Sequence, residues 1–280
     1  MDTASRTTSE QTTLWNGTAG RAWVDLQELL DRVLKPFEDL LADAVAPGTA
    51  GRVLDVGCGT GSTTVAVARR LGHRGSATGV DISEPMLVAA RARAERERSP
   101  ATFILADAQT HAFEPASFDT ILSRFGVMFF LDPVQAFLNL RRAATDQARL
   151  LVVVWRSAEE NPFMTAAERA AAPLLPNLPA RRPDEPGQFA FGDRNRVVSI
   201  LENGGWRAID VQSIDVPCTL PESELVHYLT ELGPVGRALQ GADPSFRGEV
   251  IEAIRPAFDP YVHGSEVRFT SACWMVSARG

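Results

Sequence analysis

Apolar residues recur along this chain in two rhythms that alternate with each other. Leu26, Leu29, Leu30, Val33, Leu34, Phe37, Leu40 and Leu41 fall at three- and four-residue spacing. That spacing predicts amphipathic helix ahead of the first strand, kinked or restarted at Pro36. The short run Val53–Val56 then reads as a strand, and Thr63–Leu71 as a helix closed by Gly72. Ser76–Asp81 reads as a second strand, and a helix from Glu84 to Arg98 follows, capped by Ser83 with Pro85 in its first turn. The helix ends in an alternating charge run, which is a solvated face. Thr102–Ala106 and Phe118–Leu122 predict strands three and four, and Asp132-Pro133 opens another helix with Phe137, Leu138 and Leu140 on its core face. The near-continuous apolar run Arg149–Trp155 is the pattern of a strand buried on both faces of a parallel sheet.

Beyond Trp155 the alternation pauses. Asn161-Pro162 opens a helix to about Ala172, and five prolines between Pro173 and Pro186 predict a stiff, irregular loop. Asp193 caps a helix through Leu201, and Trp206–Val216 reads as a sixth strand. Residues 221–261 read as helical, and the alternation of Val267, Phe269, Ser271 and Cys273 predicts a final strand over Glu266–Ser277. Strand followed by helix, repeated, gives an α/β fold: a Rossmann-like, doubly wound sheet. The expected organisation is a single domain over 1–280. It divides into an N-terminal helical lid (1–48), a binding core (49–156) and a region of insertions with the last two strands (157–280).

Residues 1–13 are polar and are expected to be disordered at their start. After them Trp15 and Trp23 bracket Gly17 and Gly20. Large rings beside flexible backbone suit a lid over the sheet's ligand-binding edge; plain cover for the core is the other reading.

Composition narrows the partners. With 45% hydrophobic and 22% charged residues, the chain is an ordinary globule with a sizeable core. A formal charge of −7, with lysine nearly absent, disfavours nucleic acid, which is held by clustered Lys and Arg. The three cysteines, Cys58, Cys218 and Cys273, are odd in number and widely spaced, so neither a disulfide framework nor a metal site is expected. No apolar run reaches the ~18 residues of a membrane span, and the polar N-terminus is not a secretory signal. A cytoplasmic protein acting on a small molecule is expected, with a homodimer left open.

The candidate chemistry centres on Asp55-Val56-Gly57-Cys58-Gly59-Thr60-Gly61, where three glycines at alternate positions follow the first strand. Such a turn can bend sharply and lie against a ligand. Asp81, at the end of strand two and 20 residues beyond Gly61, stands where doubly wound sheets present a carboxylate to ribose hydroxyls. Ser83 already serves as the helix cap, which leaves Asp81 for a ligand. The dinucleotide fingerprint G-x-G-x-x-G fits poorly, because Ser62 stands where its third glycine belongs.

With Gly57, Gly59, Gly61, Asp81 and Asp107, the chain instead resembles the class I S-adenosylmethionine-dependent methyltransferases. Its core is similar to the small-molecule branch that includes the ubiquinone and menaquinone enzymes. Trp15-Asn16-Gly17, Ser123–Phe130 and Asp132-Pro133 also resemble that branch. The resemblance implies a seven-stranded sheet with its last strand antiparallel, and S-adenosyl-L-methionine as cofactor with S-adenosyl-L-homocysteine as product. It further implies that Gly57, Cys58 and Gly59 adjoin the methionine half, Asp81 the ribose, and Ile82 and Met86 the adenine. Asp107 and the Ala108 amide would read the adenine edge, the Ser123 backbone would face the methionine ammonium, and Trp15 and Trp23 would close the site. Asp55 would orient the loop indirectly. Departing from those relatives, about 50 residues separate the last two strands and a further insertion follows strand five.

The expected reaction is in-line transfer of a methyl group to a small, partly apolar acceptor, with alignment and water exclusion as the protein's main contributions. His111, His227, His263 and Arg124 are the few groups that could assist. His227, on a helix of the second insertion, is the first choice as a base. Phe125, Met128, Phe163, Met164, Phe191 and Tyr228 are candidate pocket walls, with plain core as the competing reading. A non-catalytic cofactor-binding protein and a nicotinamide-dependent oxidoreductase are the alternative functions.

Overall fold

The computed structural model describes residues 3–48, 50–182 and 185–280. Met1 and Asp2, where disorder was expected, lie outside the described residues, as do the domain boundary at Thr49 and the loop proline Pro183. Three helices lead the chain: α1 (Thr3–Asn16), α2 (Thr18–Asp25) and α3 (Gln27–Asp43). The core then runs β1 (Arg52–Val56), α4 (Ser62–Leu71), β2 (Ser76–Asp81), α5 (Glu84–Arg96), β3 (Thr102–Leu105), β4 (Phe118–Arg124), α6 (Pro133–Ala143) and β5 (Ala144–Trp155). The remainder comprises α7 (Pro162–Ala171), α8 (Arg194–Asn203), β6 (Arg207–Pro221), α9 (Leu225–Glu231), α10 (Gly233–Ala238), α11 (Pro244–Ile254), β7 (Val262–His263) and β8 (Glu266–Arg279).

The strands form one sheet in the order β3-β2-β1-β4-β5-β8-β6, parallel from β3 to β5. β8 runs antiparallel to both β5 and β6. The expected doubly wound sheet with a reversed last strand is therefore present. The two-residue β7, which pairs with β8 through Val262 and Val267, raises the strand count to eight. β5 owes its central place to Leu150–Trp155, all buried, as its unbroken apolar sequence requires. The order of strands reverses between β1 and β4, and in such sheets ligands bind beyond the carboxyl ends at that switch point.

Three local expectations change. The polar N-terminus is helical from Thr3, and α1 is fixed at its far end. There Asn16 donates to the Ile82 carbonyl at 2.9 Å and accepts from the Glu84 amide at 2.9 Å. Gly17 and Gly20 are not flexible hinges. A Cβ at Gly20 would sit 1.9 Å from the Trp15 carbonyl, so glycine is needed for a close approach. Pro36 does not interrupt α3, which continues through it. Packing overrides the local penalty: the adjacent Phe37 is fully buried and meets Phe125 edge-on at 4.9 Å and Trp155 at 6.1 Å. Phe125 in turn stacks on Trp155 at 4.6 Å.

The region after β5 has its own apolar knot. Phe163 of α7 lies flat against Phe269 of β8 at 3.8 Å and edge-on to Phe258 and Tyr261. Asn161, although placed before α7, does not cap it. Its side chain donates to the Ala272 carbonyl at 2.9 Å and accepts from the Ala272 amide at 2.9 Å, which fastens the start of the insertion to β8.

Candidate active site

The turn after β1 is held by its own amides. The Gly57 and Cys58 N–H groups both donate to the Val80 carbonyl, at 2.9 and 3.2 Å, and the Gly59 N–H donates to an Asp81 carboxylate oxygen at 2.8 Å. A phosphate-binding loop needs free amides converging on the anion; here those of residues 57–59 are already committed to β2. The glycines answer different needs. Gly57 has φ +67°, and a Cβ there would lie 2.6 Å from the Gly126 Cα, so two backbones meet where no side chain fits. Gly59 also has positive φ, yet only the Met86 sulfur lies within 4 Å of where its Cβ would stand. Gly57 therefore serves packing, and Gly59 is the one that leaves open space.

Asp81 is buried at the carboxyl end of β2. One of its oxygens accepts the Gly59 amide and the other the Ser83 amide, at 2.9 Å. Asp81 is thus already engaged by the protein, with its remaining lone pairs available to a ligand. Burial pushes its carboxyl above the usual range, opposed by the Ser83 and Gly59 amides. Ser83 caps α5 through the Met86 amide at 3.4 Å and also donates to the Trp15 carbonyl at 2.6 Å. Asp107, beyond β3, accepts the Gln109 amide at 2.9 Å in a local turn. Asp55 points beneath the loop, accepts from the Thr64 hydroxyl at 2.6 Å, and is pushed up to about 6 by burial. Cys58 is buried, and burial raises its thiol well above the ordinary range.

One cavity of about 920 Å³ runs from this turn to the insertions. Gly57, Cys58, Gly59, Asp81, Ile82, Met86, Asp107, Ala108, Trp15 and Trp23 all line it. So do Phe125, Met128, Phe163, Met164 and Tyr228 from the other predicted set. Trp15 meets Phe129 edge-on at 5.0 Å and Trp23 at 6.4 Å, and these rings close one side. Among the described residues the Tyr228 hydroxyl has the Met164 sulfur as its one partner, at 3.8 Å, and burial holds its phenol above the usual range, so it stays a proton donor.

Three predicted residues do not line the cavity. Ser123 is fully buried at the end of β4; its hydroxyl donates to the Val56 carbonyl at 2.7 Å and accepts the Gly126 amide at 3.1 Å, which shapes the turn behind the site. Phe191 packs in the core against Phe137 at 6.3 Å, between cavity-lining Ala190 and Gly192. His227 points outward on α9 with a side chain 52% exposed, 3.5 Å from Glu224, while its neighbour Tyr228 faces inward. Helical geometry alone separates adjacent residues by about 100°. His111 and His263 are likewise outside the lining. Arg124, named from the sequence as a group that could assist, does line the cavity, as does Gln109, to which sequence reading gave no role. Arg124 closes β4 and Gln109 lies in the turn after β3, and that placement near strand ends was the available signal.

The cavity thus opens at the switch point of a doubly wound sheet, where such folds bind their ligands, flanked by the glycine turn and by Asp81 and Asp107. Residues 53–147 match the family described as a methyltransferase domain. Aklanonic acid methyltransferase DauC of Streptomyces sp. (strain C5) is 36% identical over 102 residues, covering 36% of this chain and 46% of that relative. The ubiquinone/menaquinone biosynthesis C-methyltransferase UbiE of Ruegeria sp. (strain TM1040) is 26% identical over 169 residues, covering 60% of this chain and 64% of the relative. The chain thus spans less than two thirds of each of these curated relatives. A putative methyltransferase of Bacillus halodurans C-125 shares the fold, with a TM-score of 0.57 at 17% identity over 86% of this chain and 97% of that one. Residues 53–147 thus match a methyltransferase domain, and the fold around them is shared with a solved putative methyltransferase. No described helix is long and apolar enough to cross a membrane.

Proposed function

We propose that the protein transfers a methyl group from S-adenosylmethionine to a small, partly apolar organic acceptor. The observation that carries this reading is the state of the glycine turn: its amides at 57–59 are spent on Val80 and Asp81, so it seats an uncharged or zwitterionic group and not a phosphate. When bound, S-adenosylmethionine supplies an electrophilic methyl on a sulfonium. In this reading Asp81 accepts the ribose hydroxyls, Ile82 and Met86 flank the adenine, Asp107 and the Ala108 amide read its edge, and Gly59 leaves room for the methionine chain. Helices α1–α3 cover the donor through Trp15 and Trp23, and Phe163, Met164 and Tyr228 from beyond β5 supply the acceptor end.

A cavity of about 920 Å³ lies near the upper end of ordinary ligand pockets and suits donor and acceptor together. Enclosure by aromatic and aliphatic walls favours transfer by excluding water and aligning the acceptor with the methyl group. One relative quoted is named for aklanonic acid and the other for ubiquinone and menaquinone biosynthesis, which supports a small-molecule acceptor. Isothermal titration with S-adenosylmethionine and, separately, with a nicotinamide dinucleotide tests the reading. Binding of the first alone is expected; binding of the dinucleotide alone would overturn it. A methyl-transfer assay over small acids, phenols and quinols then separates an enzyme from a cofactor-binding protein.

A further inference from the structure

Beyond β5 the charged residues of the cavity wall are matched to partners, with one exception. The Arg181 Nε donates to Glu168 at 3.0 Å, Arg182 pairs with Glu185 at 2.8 Å, and Glu231 pairs with Arg247 at 2.7 Å. Asp193 is engaged in the cap of α8 through the Asn195 amide at 2.8 Å, and Glu159 with Ser157. Arg237 of α10 lines the same wall, and among the described residues its side chain has neither a hydrogen bond nor an ion pair. It is exposed, so a ligand can reach it. The charges that act on its guanidinium, Glu168 and Arg181, both stand in the cavity wall and are joined to each other. The head of the side chain is therefore at that wall, and its charge is left uncancelled.

α10 packs against α7, whose cavity-lining residues Phe163, Met164, Ala167 and Glu168 fall on one helical face. The Tyr228 hydroxyl contacts the Met164 sulfur, one turn or about 6 Å along α7 from Glu168. This wall thus presents a hydroxyl donor, an apolar stretch and a free cation. A planar guanidinium with free N–H groups matches a carboxylate through two parallel hydrogen bonds. A phosphate calls for several cations or for converging free amides, and here one guanidinium stands free. We propose that the acceptor is a carboxylic acid whose carboxylate docks on Arg237 while its apolar body lies along Phe163 and Met164. The carboxylate is the anchor and not the methylated group, because Arg237 belongs to the insertion end of the cavity and the glycine turn to the other. This names the acceptor class for the function proposed above and rests on that reading.

The test is isothermal titration of 2-naphthoate, decanoate and 3,4-dihydroxybenzoate, each against its own amide, into protein saturated with S-adenosylhomocysteine. Wild type is expected to hold at least one acid about 10-fold more tightly than its amide, as for a charge-assisted hydrogen bond at an accessible site. Arg237→Gln should bring acid and amide within about twofold of each other and leave S-adenosylhomocysteine affinity unchanged, and Arg237→Lys should recover part of the preference. Arg182→Gln, which removes a cavity cation already paired with Glu185, should keep the preference whole. A wild type that holds none of the three acids more tightly than its amide would overturn the assignment. So would a preference that survives Arg237→Gln, or one that falls equally in Arg182→Gln. Failure to bind S-adenosylhomocysteine would instead refute the proposed function, and the acid preference would then be read on the unloaded protein with the same variants. Should Arg237→Gln unfold, the wild-type comparison and the Lys variant still decide.

Discussion

At the glycine turn, backbone meets backbone: Gly57 lies against Gly126, and the amides of residues 57–59 are tied to β2. At the far end of the same cavity, rings meet rings, with Phe163 against Phe269, Phe258 and Tyr261. The first construction tolerates almost no added atom, because both partners are main chain. The second is a packed knot of large side chains that can be recut without changing strand order. In the function proposed above, the first construction serves the donor and the second the acceptor.

The largest effect is expected where the backbones touch. Gly57→Ala places a methyl against Gly126 and forces a non-glycine residue to φ +67°. A loss of about 4 kcal/mol or more in urea unfolding is expected, from overpacking and strain together. A variant that melts within a few degrees of wild type would show that the turn is more pliable than this contact implies. Phe163→Ala should cost about 3 kcal/mol by opening a cavity in the knot. It should leave S-adenosylmethionine affinity within about twofold while acceptor turnover collapses. Parallel loss of cofactor affinity would mean that the two ends are not separately built.

The two ends also differ in how much the sequence discloses. Gly57, Asp81 and Asp107 were legible because short-range spacing puts strand ends and turns together without help from distant residues. The strands were legible for the same reason, as each carries its own apolar run, while their order across the sheet is set by pairings between distant segments. Ser123, Phe191 and His227 were misplaced because direction, not position, decides them. Each adjoins a cavity-lining residue (Arg124, Ala190 and Tyr228) and itself faces the other way. Pro36 in α3 shows the same limit: its local signal for a break yields to Phe37, Phe125 and Trp155, which are distant in sequence.

A smaller effect tests the electrostatics beneath the turn. Asp55 titrates near 6 in the folded protein and near 4 when unfolded, so between those values the native state binds more protons. Stability therefore falls as pH rises from about 4 to about 6, by up to about 3 kcal/mol for this group. Asp55→Asn keeps an acceptor for the Thr64 hydroxyl and cannot titrate. Urea midpoints measured from pH 4 to 7 should lose this part of their slope in the variant, and the variant should be the more stable protein at pH 7. An unaltered slope would place the titrating group elsewhere.

The smallest changes sharpen the comparison at the acceptor end, because His227 and Tyr228 are neighbours on α9 with opposite outlooks. His227→Ala removes an exposed ring near Glu224, and turnover should stay within about twofold with stability changed by less than about 0.5 kcal/mol. Tyr228→Phe removes only a hydroxyl whose one protein contact is a sulfur at 3.8 Å, so unfolding should again be nearly unchanged. Its effect should fall instead on the acceptor. If that hydroxyl hydrogen-bonds the acceptor, KM for the acceptor rises several-fold while S-adenosylmethionine affinity holds. A Tyr228→Phe enzyme with unaltered acceptor kinetics beside an impaired His227→Ala enzyme would reverse the assignment, and would require α9 to turn its other face toward the cavity during turnover.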